Sequence, residues 1–273
     1  MKFRMIRTIK TFVGLSIVLL TLPMVSVAAP IVFSATDSIQ ATVDAFRAAL
    51  GEPNNGNAPG PLSDGRREIN WDGGGSTATA PAPNTFAGFQ TSRGALFTTS
   101  GTGFVQAPPD GLATTFSNPT YNSFVAFSPV RLFSAVGSNI TDATFTLPGN
   151  PAVDASINGF GVVFSDVDLA DSATIQFYNL DDNPIGPAYS ANPFNDGLSF
   201  IGVVFDAGEK IGRVKITSGS VAPGPNDGPG SDIVMMDDFI YSEPQAIPEP
   251  TTLLLFSTAL AGMAIRRRFR GRA

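Results

Sequence analysis

The chain has 273 residues and neither cysteine nor histidine, which removes disulfides, thiol nucleophiles, Ser-His-Asp triads and zinc sites built on His or Cys. Its net charge of −6 hides a segregation: the extreme ends are basic, while the stretch from Ala29 to Ala246 holds 22 acidic and 8 basic residues, a net −14. A body this acidic repels nucleic acid, which is excluded as a partner, and suits cations or neutral polymers.

At the N-terminus, Lys2, Arg4, Arg7 and Lys10 precede an apolar run from Phe12 to Leu22 and the small residues Ser26-Val27-Ala28. This is the pattern of an export signal over residues 1–28. Cleavage after Ala28 is preferred to cleavage after Ala29, which would leave Pro30 as the first residue. An exported chain without disulfides must stabilise itself through its core, and the remaining body is long enough to do so as one domain.

Residues 29–66 read as one helix and a linker. Ile39, Val43, Phe46 and Leu50 recur at helical spacing, predicting a helix near 38–50. Thr36, Asp37 or Ser38 can serve as its N-cap, and Gly51 lies just past its end. The run Glu52-Pro53-Asn54-Asn55-Gly56-Asn57-Ala58-Pro59-Gly60-Pro61 is turn chemistry with no capacity for regular structure.

Residues 67–244 read as β. Ala143, Phe145 and Leu147 alternate with polar neighbours, as do Ala173, Ile175 and Phe177, and Gly212, Val214 and Ile216. Period two with one wet face is the mark of antiparallel sheets. Ile157–Val167 and Leu198–Phe205 are apolar on both faces and are predicted as central strands. About nine or ten strands separated by Pro, Gly, Asn and Asp predict an all-β, two-sheet antiparallel sandwich of jelly-roll type.

Two acidic groups stand out within it. Asp166 and Asp168 continue the parity of Phe160, Val162 and Phe164, which predicts both on one strand face about 7 Å apart. Calcium is the natural extracellular counter-ion for such a pair; a solvated acidic turn is the alternative. Asp237 and Asp238 open the last strand, and alternation predicts opposite faces for them. Their loose resemblance to the last strand of secreted jelly-roll and lectin-like modules implies a structural ion or a salt link to Arg66 or Arg67, with Arg67-Glu68-Ile69-Asn70-Trp71-Asp72 as the first strand; solvated acids are the alternative. Asn195-Asp196-Gly197 and Asn226-Asp227-Gly228 have the look of ligand loops but equally of plain turns, and neither has the closing Glu of an EF-hand loop.

Residues 245–273 form a tail in three parts: Pro248-Glu249-Pro250, an uncharged stretch from Thr251 to Ile265, and a cluster containing Arg266, Arg267, Arg268, Arg270 and Arg272. As a helix, the fifteen-residue stretch spans about 22 Å, short of the roughly 30 Å hydrocarbon core, so it suits a temporary anchor. The arginines hold the far end in the cytoplasm and place the body outside. The three parts in this order resemble a PEP-CTERM sorting tail. The resemblance implies transient membrane anchoring by a C-terminal hydrophobic helix and removal by an exosortase-type membrane enzyme. It also implies delivery to the cell surface or to an extracellular, exopolysaccharide-rich matrix.

The body admits two readings. In the first it is a non-catalytic envelope or matrix protein. In the second it is a carbohydrate-binding module, or a weak polysaccharide hydrolase, on the same sandwich. With one tryptophan and four tyrosines, the chain is poor in the usual sugar platforms, and no pair of acids has a distinctive glycosidase setting.

Overall fold

The computed structural model describes residues 29–73, 75–225 and 228–247. The expected signal segment, Asn226, Asp227 and the tail from Pro248 onward lie outside the described residues. Strands in chain order are β1 (Ile31–Thr36), β2 (Arg66–Ile69), β3 (Ala80–Pro83), β4 (Phe86–Phe89), β5 (Ala95–Thr98), β6 (Gly103–Ala107), β7 (Leu132–Val136) and β8 (Ile140–Leu147). They continue with β9 (Asn150–Ser156), β10 (Gly159–Val167), β11 (Ala173–Tyr178), β12 (Pro184–Ser190), β13 (Phe194–Val204), β14 (Arg213–Ser218), β15 (Met235–Ser242) and β16 (Gln245–Ala246). The helices are α1 (Gln40–Leu50), α2 (Gln90–Arg93) and α3 (Pro109–Phe116).

The body is an all-β sandwich of two antiparallel sheets. One runs β1-β13-β10-β15-β7-β6-β3, with β2 also on β15; the other runs β12-β11-β14-β8-β5-β4, with β9 on β8 and β16 on β9. Alternation works as expected at β11, where Ala173, Ile175 and Phe177 are buried and their neighbours half-buried. The expected central strands correspond to β10, between β13 and β15, and β13, between β1 and β10. The core is aromatic: Trp71 is fully buried and stacks on Phe133 with ring centroids 3.7 Å apart, and its indole N–H donates to the Asp237 carbonyl.

Helix α1 lies where expected and packs outside the first sheet. Val43, Phe46 and Leu50 are buried against Val163, Phe200, Val204 and Ile240, each contributing roughly 1.5–3 kcal/mol. Its seat is a glycine pair. Gly161 and Gly202 face each other in register, and a Cβ on either would come within 2.7–2.8 Å of the Phe46 ring. None of the three expected caps is used: the N-cap is Ile39, without a side-chain hydrogen bond.

Three expectations are corrected. Residues 29–66 are not only helix and linker, because β1 precedes α1 and forms the edge of the first sheet. Among the described residues the strands number sixteen rather than nine or ten, because the segment between β2 and β8 supplies five short ones. That segment also supplies α3, which starts with Pro109 in its first turn and buries Leu112 and Phe116.

Candidate functional site

The two acidic groups sit at irregularities of the central strands, and these decide where their carboxylates go. On β15, Phe239 pairs with Val162 and Met236 with Phe164, so Asp237 and Asp238 together oppose the single residue Val163. This is a β-bulge. Met236 and Phe239 both remain in the inter-sheet core, and both aspartates turn to the outer face, where each meets the Ser128 hydroxyl. The expected alternation of the pair is therefore overturned by the extra residue.

Asp237 Oδ2 accepts the backbone N–H of Phe127 at 2.6 Å and of Ser128 at 3.2 Å. Asp238 Oδ1 accepts the Ser128 hydroxyl at 2.5 Å. Nearby, Asp72 Oδ1 accepts the N–H of Val130 at 2.6 Å and of Arg131 at 2.9 Å. Three buried carboxylates thus pin one loop, residues 127–131. Burial, first, and the neighbouring Asp238 raise Asp237 well above the usual carboxylate range, against the opposing effect of its N–H donors. Asp238 is also raised, by burial, although Ser128 and Arg47 favour its charged form.

The salt link expected to Arg66 or Arg67 is made by Arg47 instead. From α1, its guanidinium reaches Glu68 at 2.8 Å and Asp238 at 3.7 Å. Arg66 pairs with Glu68 and Glu52. Arg67 forms a fully buried two-point pair with Glu243, at 2.6 and 2.7 Å. A crevice of about 290 Å³ beside Asp238 is lined by Arg47, Asn54, Glu68, Asn70, Arg93 and Ser128. Burial lowers Arg93 there, and its guanidinium donates to the Glu68 carbonyl. The roles of Arg47, Glu68, Ser128 and Glu243 leave little sequence signal, because the contacts that join them across the fold, Arg47 to Glu68, Ser128 to Asp238 and Arg67 to Glu243, span 21, 110 and 176 positions.

At the other group, β10 changes register against β13 between Ser165 and Val167, and Asp166 has φ +67°. The core-facing series becomes Phe160, Val162, Phe164, Val167. Asp166 is displaced to the rim and Asp168 falls beyond the strand, so the two do not share a strand face as expected. Asp166 accepts the Asp196 N–H at 2.7 Å, which brings the Asn195-Asp196-Gly197 turn to this cluster. Burial and the neighbouring acids raise both Asp166 and Asp168. Behind them Asp232 is 1% exposed; its Oδ2 accepts from the N–H of Asp168 and Leu169 and from Ser172, while its buried Oδ1 has no partner. Among the described residues, no group of three or more acidic side chains is placed to hold a metal ion.

No aromatic side chain is exposed among the described residues, and none of their helices is long and apolar enough to cross a membrane. These residues form an acidic β-sandwich whose last strand, β16, ends two positions before Pro248. From the end of that strand onward the chain carries a PEP-CTERM protein-sorting motif, matched over residues 246–268. The motif supports a PEP-CTERM exosortase substrate and implies export, transient anchoring and release at the surface. No curated protein and no solved structure gives a significant match to the chain.

Proposed function

We propose that the released body is a non-catalytic envelope or matrix protein, and that its sandwich is a jelly roll. The strand order supports the fold reading: β2-β15-β10-β13 in one sheet and β8-β14-β11-β12 in the other is the interleaving that two Greek keys produce. One observation carries the functional reading. The most deeply buried acid pair, Asp237 and Asp238, is occupied with main-chain N–H groups, a serine and an arginine that fasten a loop, leaving it structural work rather than chemistry on a substrate. The test is to incubate the 29–246 body with a panel of neutral and acidic polysaccharides. The expected outcome is no release of reducing ends and no retention on a glycan array. Hydrolysis abolished by Asp238→Asn would replace this reading with an enzyme. Binding without hydrolysis would favour the carbohydrate-binding alternative, with exopolysaccharide as partner.

The proposal includes a structural calcium ion at Asp166 and Asp168. Their raised carboxylates suit a hard cation that takes oxygen ligands; no third acid among the described residues is placed to join them, so main-chain carbonyls and water supply the rest of the shell. At a hundred times its dissociation constant, such an ion stabilises the fold by about 2.7 kcal/mol. A differential scan should then show a melting temperature roughly 5–10 °C higher in millimolar calcium than in chelator, and Asp166→Asn with Asp168→Asn should remove the difference. Superimposed melting curves for wild type in both conditions would leave the acids as solvated turns.

A further inference from the structure

Both ends of the described chain leave from the same pole of the sandwich. Ile31, the first residue of β1, pairs with Val204, which pairs with Gly159; beside them the Asn158 N–H donates to the Ser242 hydroxyl near the end of β15. β1 and β15 are separated by β13 and β10, so this row is about 14 Å wide at the usual strand spacing. The chain turns from Ser242 into β16, which pairs with Ser156 and Ala155 of β9 at the same end. Ile247, half-buried, lines a cavity there with Asp154, Asp182 and Arg213.

The tether to the membrane is short. Five residue steps separate Ala246 from Thr251, where the uncharged stretch starts, and an extended chain covers at most about 18 Å in that count. The opposite pole is much farther away, because the nine residues of β10 span about 30 Å. Asp37, Asp166, Asp168, Asp171, Asp196 and Asp232 gather at that distal pole. Its connecting segments, 165–172, 190–198 and 219–234, contain no lysine or arginine. The near pole is acidic as well: Glu52, Asp64, Asp154, Asp181, Asp182, Asp206 and Glu209 stand against Arg66, Lys210 and Arg213. A net −14 body has no attraction that would lay it flat on an anionic lipid surface.

We propose that, while its tail is attached, the body stands on the membrane on the pole formed by the β9–β16 edge, the 51–65 loop and the 205–212 turn, and displays the acidic Asp166–Asp232 pole outward. The near pole is then the surface that meets lipid headgroups and the processing enzyme. Repulsion from anionic lipid carries the body away once the tail is cut. This rests on the sorting reading of the tail.

The cysteine-free chain permits a direct test on the full-length protein. Pro248→Ala, Glu249→Ala and Pro250→Ala together should trap a membrane-held precursor in a host that has the exosortase. Single cysteines are placed at the near pole (Asp154→Cys or Asp181→Cys) or at the distal pole (Asp171→Cys or Asn195→Cys), all exposed positions. In the trapped precursor, a bulky membrane-impermeant maleimide should label the near positions severalfold more slowly than the distal ones. In the released protein the two sets should label alike. Equal labelling of both poles in a membrane-held precursor overturns the orientation alone. Normal release of the triple-alanine variant overturns the sorting reading, and the orientation with it.

Discussion

Glu243→Ala is expected to lower the stability of the body by about 3–5 kcal/mol, the cost of removing one member of a buried ion pair. Arg67 is fully buried and Glu243 is 4% exposed. The guanidinium that Glu243 neutralises also donates to the carbonyls of Gly56 and Ala58 at 2.8 Å and of Ser92 at 3.3 Å. Glu243 in turn accepts from the Asn55 amide and the Leu62 N–H. The pair thus fastens the turn-rich loop, whose β pairing is a single bridge between Asn54 and Arg66, to the end of β15. Without Glu243 the Arg67 charge stays buried and uncompensated, and the loop loses two of its anchors. For a domain of this size the loss corresponds to a fall of roughly 10 °C in melting temperature. Urea denaturation should show a lower midpoint with an unchanged slope. Arg67→Met combined with Glu243→Leu should recover part of the loss, because the buried charge disappears. Recovery stays partial because the Gly56 and Ala58 carbonyls keep no donor. A midpoint within error of wild type for Glu243→Ala would show that water replaces the carboxylate and that the pair is dispensable.

How far the fold could be read from the sequence depends on which faces of each strand are wet. β11 and β14 have one solvated face, so burial obeys period two residue by residue. β10 and β13 are covered on both faces, and their uninterrupted apolar runs mark them as central. β1 left no such mark. Ile31 and Val32 are 45% and 47% exposed, while Phe33 and Ala35 pack beside α1, so an edge strand shows neither alternation nor continuous burial. The short strands before β8 failed for a related reason: β3 reads Ala-Pro-Ala-Pro, punctuation that an edge tolerates because prolines can point their missing donors outward.

The acids were legible as residues but not as a site. Parity counting through Asp166 and through Asp237 assumes an unbroken ladder. A bulge inserts a residue without leaving a trace in composition, so each count ends on the wrong face. Their partners lay still further from view. Ser128 is 109 and 110 positions from the two aspartates it joins, and the sequence between gives no sign that this loop crosses the outside of the sheet. The sorting tail was legible because its motif is defined by sequence parts in order.

Asp237 gives the second large effect, and its sign depends on the substitution. Burial and the adjacent Asp238 raise its folded-state value, whereas in the unfolded chain it titrates near the ordinary carboxylate value of about 4. The fold therefore holds this proton more tightly than the unfolded chain does. Its contribution is fully present below the unfolded value and is lost as pH rises through the folded one, where a desolvated carboxylate must ionise beside another. Asp237→Asn keeps a carbonyl oxygen for the Phe127 and Ser128 N–H groups and carries no charge. It should match wild type only below the unfolded value of about 4 and exceed it by a growing margin as pH rises from there through the folded value. Asp237→Ala leaves both buried N–H groups without an acceptor, at about 1–3 kcal/mol each, and should be the weaker protein at every pH. Urea midpoints for the three proteins across the acid-to-alkaline range check this, since the remaining charges of the body are common to all of them. Parallel curves for wild type and Asp237→Asn would mean that Asp237 is ionised throughout, with its N–H donors and the Arg47 charge outweighing burial.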